Sequence, residues 1–147
     1  MPEGNRLQPA GLLRIMACVF YDTILLTAVL FVSTLAFLAI PAGVRDTDPF
    51  IQVGKVLWYL GLAYLYFGWF WQRSGQTPGM KAWRTCLTDC EGNLPTRKAV
   101  TRRFFAAILS WLVAGTGFLW ILADRKRRSL HDRLSGTCLM VITKSPV

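Results

Sequence analysis

The chain has 147 residues, of which 53% are hydrophobic, and its formal net charge is +9. This composition is too apolar for an ordinary soluble domain and is typical of a small multi-pass membrane protein. Because the basic residues flank apolar segments, the charge indicates the orientation bias of membrane proteins rather than nucleic-acid binding. We therefore expect the lipid bilayer as a partner and no nucleic acid.

The first apolar segment covers residues 12–40 and follows a polar N-terminal tail, residues 1–11. A membrane helix needs about 20 apolar residues, so this segment is long enough to cross a bilayer with some tilt. No small-residue cleavage pattern follows it, and we expect it to remain in the mature protein as an anchor. The segment nevertheless contains two charged residues, Arg14 near its start and Asp22 eight positions further on.

The second apolar segment covers residues 51–71 and is followed by a polar stretch, residues 72–103. Residues 41–55, the loop and the start of the second segment, contain two basic and two acidic residues, whereas the polar stretch has seven basic residues and two acidic ones. Basic loops stay on the cytoplasmic side, so this stretch and the N-terminus are predicted to be cytoplasmic. The basic residues are Arg73, Lys81, Arg84, Arg97, Lys98, Arg102 and Arg103.

The third apolar segment, residues 104–122, contains Gly115-Thr116-Gly117 and is followed by a basic tail. A full crossing would place that tail outside, against the positive-inside rule. A broken or re-entrant segment would keep both termini in the cytoplasm, and three ordinary spans remain the alternative. The predicted fold is an all-α integral membrane protein with two full transmembrane helices and a third, broken or re-entrant segment.

The polar parts of the chain also carry local structure. Alternating hydrophobicity predicts a small cytoplasmic strand pair, formed by residues 81–88 and 137–143. Gly75 begins a predicted tight turn at the exit of the second helix. Ser129 opens a predicted capping box, and Gly136 ends that short turn.

Taken together, these pieces resemble the RDD family of membrane proteins, named for one arginine and two aspartates. The resemblance covers about residues 12–142, which leaves residues 143–147 as a C-terminal tail. In this family, Arg14 and Asp22 match the first helix, and we take Asp132 rather than Asp89 as the second aspartate. The motifs that carry the resemblance are Arg14-Ile-Met-Ala-Cys-Val-Phe-Tyr-Asp22, Gly75-Gln-Thr-Pro-Gly79 with Lys81, Asp89-x-x-Gly92, and Leu130-His-Asp-Arg-Leu-Ser-Gly-Thr137.

The resemblance implies a multi-pass protein of the bacterial inner membrane. Transport of ligands has been suggested for the family, and cation–proton antiport has been attributed to some members. The candidate substrate or ion residues are therefore Arg14, Asp22 and Asp132. The residues assigned to structural motifs are Gly75, Thr77, Pro78, Gly79, His131 and Gly136.

Asp22 is predicted to lie at the centre of a polar intramembrane site, because a carboxylate near the bilayer centre is costly without a partner. Helix geometry places Arg14 about 12 Å from Asp22 along the axis, too far for a direct pair without a bridging group. Asp22 is then expected to pair with a basic residue of another segment, such as Arg73 or Arg102. Two interpretations stay open: a polar clasp that holds helices together, and a titratable site for a proton or cation.

His131 is the only histidine of the chain. It is predicted either to relay protons at the membrane face or, as the better interpretation, to orient the Asp132 turn by hydrogen bonding. Asp132 lies beside Arg128 and Arg133 in sequence, which favours a structural ion pair.

The cysteines give little indication of chemistry. Cys86, Cys90 and Cys138 have too loose a spacing for the usual zinc patterns, so no metal is predicted. Cytosolic thiols stay reduced, and no disulfide is expected. No catalytic constellation with a soluble pocket is present, so we predict no enzymatic activity and no cofactor.

Two functions remain open. The first is transport of an ion or small solute through a polar site at Asp22, for which so small a bundle would need a homo-oligomer. The second is a non-transporting membrane adaptor or assembly factor whose basic cytoplasmic face binds a partner or anionic lipid head groups.

Overall fold

The computed structural model of the chain describes residues 5–89, 91–112 and 129–144. Within these ranges the chain forms two long helices, several short ones and a small sheet. The helices are α1 (Leu12–Thr34), α2 (Ala42–Thr47), α3 (Pro49–Ser74), α4 (Pro78–Ala82), α5 (Arg97–Leu112) and α6 (Leu130–Ser135), and the strands are β1 (Asn5–Pro9), β2 (Thr85–Asp89) and β3 (Thr137–Lys144).

Two helical stretches in the described part of the chain are long and apolar enough to cross a membrane. They are Leu12–Ala39, in which a 3-10 turn continues α1, and Pro49–Ser74, which is α3. Their apolar side chains are mostly exposed: Phe31 is 68% exposed and Leu57 63%. A core helix of a soluble protein would bury these side chains, so an apolar environment outside the protein explains them better.

The two long helices form an antiparallel hairpin. Near its closed end, the Thr34 hydroxyl lies 3.0 Å from the Tyr59 hydroxyl, and the Phe37 ring packs edge-on to the Tyr59 ring. At the other end, Tyr66 contacts Asp22. Therefore α1 begins and α3 ends at the same end of the hairpin.

The sheet has three strands in the order β1-β3-β2, with both pairs antiparallel. The predicted strand pair is thus too small, because residues 5–9 of the predicted polar tail form the third strand. Leu7 pairs with Ile142, and Cys86 pairs with Met140 on the other side of β3. Five residues of the tail carry too short a pattern to reveal a partner more than 130 positions away.

The sheet, α4, α6 and the first turns of α5 form a polar head at the open end of the hairpin. Its apolar core contains residues of the sheet, of α4, of α5 and of both long helices: Ala10, Ile15, Cys18, Trp71, Met80, Leu87, Val100, Phe104 and Leu139. Because β1 pairs with β3, the described ends of the chain both lie in this head.

The predicted break at residues 115–117 lies outside the described residues, as do all residues from 113 to 122. The broken or re-entrant path of segment 104–122 therefore stays a prediction. In the described part, α5 begins seven residues before the predicted segment, at Arg97. Thr96 caps it, because the Thr96 hydroxyl accepts a hydrogen bond from the Ala99 N–H at 3.3 Å.

Candidate functional site: two buried carboxylate clusters

A tight turn after α3 places the short helix α4 against α1. Gly75 ends α3 in the left-handed conformation, with φ of +67°, which a glycine adopts without strain. Two residues later Thr77 caps α4, and its hydroxyl oxygen accepts a hydrogen bond from the Met80 N–H at 3.2 Å. Pro78 follows at the first helical position, where its missing N–H has no cost.

Asp22 projects from α1 into this turn and is 3% exposed. One carboxylate oxygen accepts hydrogen bonds from the Gly79 N–H at 2.9 Å and from the Tyr66 hydroxyl at 3.2 Å. The other accepts a hydrogen bond from the Thr77 hydroxyl. The described partners of Asp22 are thus three neutral donors, and the predicted pairing with Arg73 or Arg102 is wrong.

Gly79 lets α1 and α4 approach each other closely. A Cβ atom at this position would lie 2.6 Å from the Cys18 carbonyl oxygen and 2.8 Å from the Asp22 carboxyl carbon. Beside this contact, the Cys18 sulfur lies 3.3 Å from the Thr85 hydroxyl of β2. We call the group Asp22, Tyr66, Thr77 and Gly79 the α1–α4 clasp.

A second buried carboxylate, Asp132, pairs with Arg103. Arg103 is 5% exposed, and its guanidinium donates hydrogen bonds to the Asp132 carboxylate and, at 2.8 Å, to the Thr137 hydroxyl. The guanidinium also lies 5.3 Å from the centre of the Trp71 ring. This Arg103–Asp132 cluster thereby joins α5, α6, β3 and the end of α3.

Asp132 also closes the predicted capping box at the start of α6. Its carboxylate accepts a hydrogen bond from the Ser129 N–H at 3.0 Å, and the Ser129 hydroxyl accepts one from the Asp132 N–H at 3.3 Å. Burial alone would raise the pKa of the Asp132 carboxyl, but the charge of Arg103, the neighbouring His131 and the hydrogen bonds from Ser129 and Arg103 together lower that pKa. Burial lowers the pKa of the adjacent His131 to about 4, and the Arg103 charge contributes to that shift.

Arg14, the third candidate residue, lies in neither cluster. Its side chain is exposed and lines an open groove of about 620 Å³ between the start of α1 and the β1–β3 ladder. The three candidates therefore occupy three separate places in the described structure. Among the hydrogen bonds of the described residues, Asp22 and Asp132 have no partner in common.

Asp89, the alternative second aspartate, stabilises a turn. Its carboxylate accepts hydrogen bonds from the Asn93 N–H at 2.7 Å and the Glu91 N–H at 3.0 Å, and the Asn93 bond lowers the pKa of the Asp89 carboxyl.

Among the described cysteines, one differs from the expectation of reduced thiols. Cys18 and Cys86 are free and buried, and burial raises the pKa of the Cys86 thiol. Cys138 is disulfide-bonded, so the expectation of reduced thiols is wrong there. Its sulfur is consequently not available as a zinc ligand.

Several residues of the two clusters were not recognised as site residues in the sequence. Tyr66 and Trp71 lie inside an apolar segment, where aromatic residues are common. Arg103 was counted only as one of several basic residues. The signal that sets it apart is its position as the last basic residue before Phe104, where the third apolar segment begins.

The fold and its two clusters define a class of small helical proteins in which an apolar hairpin carries a polar head. The chain belongs to the RDD family, whose sequence pattern matches residues 9–136. It is also 33% identical over 76 residues to an uncharacterized protein of Rickettsia prowazekii (strain Madrid E). That match covers 51% of this chain and 42% of the relative, so the chain spans less than half the length of that protein. No solved structure matches the chain.

Proposed function

We propose that the protein is a non-transporting, non-enzymatic membrane adaptor of the bacterial inner membrane. The hairpin α1–α3 would cross the bilayer, and the head would lie on the membrane surface. The length and exposure of the two apolar helices support the crossing, and membership of the RDD family supports the membrane location.

The arrangement around Asp22 is the observation that favours an adaptor over a transporter. A transport site must exchange its ligand, whereas the Asp22 carboxylate accepts three hydrogen bonds from the protein itself. On the side of Gly79, α4 packs so closely that even an added Cβ atom would lie 2.8 Å from the Asp22 carboxyl carbon. Both features favour the interpretation of Asp22 as a clasp that fixes the head on the hairpin.

The head would then act through its basic surface. Anionic lipid head groups attract cations near a membrane by about 1 kcal/mol for each lysine or arginine. An acidic protein partner is the alternative binding target. Exposed basic residues of the described head are Lys81, Arg84, Arg97, Lys98, Arg102 and Arg133.

Flux measurements separate the adaptor from a transporter through Asp22. Purified protein would be reconstituted in liposomes with a trapped pH indicator, and sodium, potassium or lithium gradients would be applied. An ionophore that exchanges cations for protons controls for tight, responsive vesicles. We expect no flux from the wild type and, for Asp22→Asn, only a lower melting temperature. Cation-driven proton flux that disappears in a folded Asp22→Asn protein would refute the adaptor proposal.

We also propose that the head and both termini face the cytoplasm. The excess of basic residues in the head supports this orientation. The disulfide at Cys138 favours the opposite orientation, with the head outside the cytoplasm, because disulfides are rare in the cytosol. C-terminal fusions to green fluorescent protein and to alkaline phosphatase decide between the two: fluorescence with an inactive phosphatase would support the proposed orientation, and the opposite result would reverse it.

A further inference from the structure

A second groove, separate from both carboxylate clusters, lies where α3 leaves its apolar stretch and α5 begins. It has a volume of about 420 Å³ and is lined by Trp69, Gln72, Arg73, Pro95 and Arg97. Pro95 is buried and belongs to the wall of the groove, whereas both arginines are exposed. We call it the α3–α5 groove.

The lining of this groove combines donors and charges that suit a phosphate group. Two guanidinium groups can each donate paired hydrogen bonds to phosphate oxygens, and the Gln72 amide is a further donor. Arg73 lies over the Trp69 ring, with its guanidinium carbon 5.4 Å from the ring centre. This stacking holds the arginine in place, which lowers the entropy lost when an anion binds.

The surface next to the groove is apolar. Trp69 is 62% exposed, and Leu65, one helical turn further along α3, is 64% exposed. If α3 crosses the membrane, as the proposed function requires, these side chains face acyl chains, while Arg73 and Arg97 lie at the level of the lipid phosphates. Tryptophan and arginine together at that level are typical of the membrane interface.

We propose that the α3–α5 groove binds the phosphate head group of an anionic phospholipid, with an acyl chain along Trp69 and Leu65. A soluble phosphate would use the same two arginines but would gain nothing from the adjacent apolar surface. The groove would thus give the head a specific lipid contact in addition to its general positive charge. This inference rests on the proposed insertion of α3 in the membrane.

Lipid retention measured by native mass spectrometry tests the site. The full chain would be released from detergent with phosphatidylglycerol or phosphatidylcholine of the same acyl chains. The test variant is Arg73→Gln/Arg97→Gln, and the control is Arg45→Gln/Lys55→Gln, which removes the same charge at the closed end of the hairpin, away from the head and the groove. Melting temperatures would check that both variants fold.

We expect the wild type and the control to retain phosphatidylglycerol preferentially. The amount of phosphatidylglycerol retained by the groove variant should be at least about tenfold lower, because the charge-assisted contacts of two arginines with the phosphate are removed. Equal retention by the groove variant, or an equal loss in the control, would contradict a specific site. The phospholipid site would also be refuted if glycerol 3-phosphate displaced the lipid at similar concentration, or if the groove preferred a hexaglutamate peptide. Either result would indicate a soluble ligand.

Failure of the lipid-retention test would not refute the adaptor proposal, because the flux measurement tests that proposal separately. Resistance of the wild type to alkaline extraction from membranes tests the insertion of α3 separately. A protein that resists extraction, conducts no ions and shows no lipid preference would refute the groove site alone.

Discussion

At the scale of single residues, Gly79 decides whether α1 and α4 can meet. We predict that Gly79→Ala destabilises the protein by about 1–3 kcal/mol, the usual cost of overpacking a site that cannot relax. The added Cβ would press on the Cys18 carbonyl, which is part of the α1 backbone, and on the Asp22 carboxylate, which three hydrogen bonds hold in place. Thermal unfolding in a mild detergent would measure the change.

Gly61 provides the matched control, because nothing lies within 4 Å of a Cβ at this position of α3. Gly61→Ala should leave stability unchanged or raise it slightly, since alanine favours helix. Similar melting temperatures for the two variants would show that the clasp does not depend on the close approach of Gly79.

Caps and turns are the single-residue features that could be predicted from the sequence. Gly75, Ser129 and Gly136 act where their local motifs placed them, because a cap depends only on residues a few positions away. The partners of Asp22 could not be predicted in this way. Thr77 is 55 positions distant, and only the packing of α4 on α1 brings its hydroxyl to the carboxylate.

At the scale of elements, the Arg103–Asp132 pair connects α5 to α6 across 29 positions of sequence. We predict that Arg103→Met costs about 3–5 kcal/mol, because it leaves a buried carboxylate without its counter-charge. The Trp71 ring would lose its cation at the same time. The free energy of unfolding in denaturant, followed by tryptophan fluorescence, would measure the loss.

Arg102→Met is the control for this prediction, since Arg102 is the adjacent arginine of the same helix and is exposed. Its substitution should change stability by no more than about 0.5 kcal/mol. In the double variant Arg103→Met/Asp132→Asn, the cost should be smaller than the sum of the two single costs, because neither charge remains unpaired. Strict additivity would mean that the two side chains do not stabilise each other.

Apolar length made the two long helices predictable, with α3 beginning at Pro49 and ending at Ser74 against a predicted 51–71. The sheet was predictable only in part. Local alternation predicted β3 and part of β2, although the strand predicted at 81–88 begins only at Thr85, because residues 81 and 82 belong to α4. β1 has no signal of its own and forms by pairing with the edge of β3. Pairing between the two ends of a chain is a property of the whole fold rather than of either segment.

At the scale of the whole molecule, the head should lose stability in mildly acidic solution. The pKa of His131 falls from 6.5 in the unfolded chain to about 4 in the folded one, because burial disfavours its charged form. Between these two values the unfolded chain binds a proton that the folded chain does not, so stability rises with pH in this window. It is therefore lost as the pH falls from about 6.5 to 4, by up to about 3 kcal/mol.

The Asp132 carboxyl acts in the same direction but at lower pH. Its pKa is lowered in the folded head, so its contribution to stability is complete above the ordinary carboxyl range and is lost only as the pH falls further. Unfolding free energies measured from pH 7.5 to 4 should thus fall most steeply below 6.5 in the wild type. In His131→Gln, which has no group that titrates there, the curve should stay nearly flat down to about pH 5, whatever its stability at neutral pH. A slope that persists in His131→Gln would assign the acid sensitivity to other groups and would show that His131 is not held neutral by burial in the head.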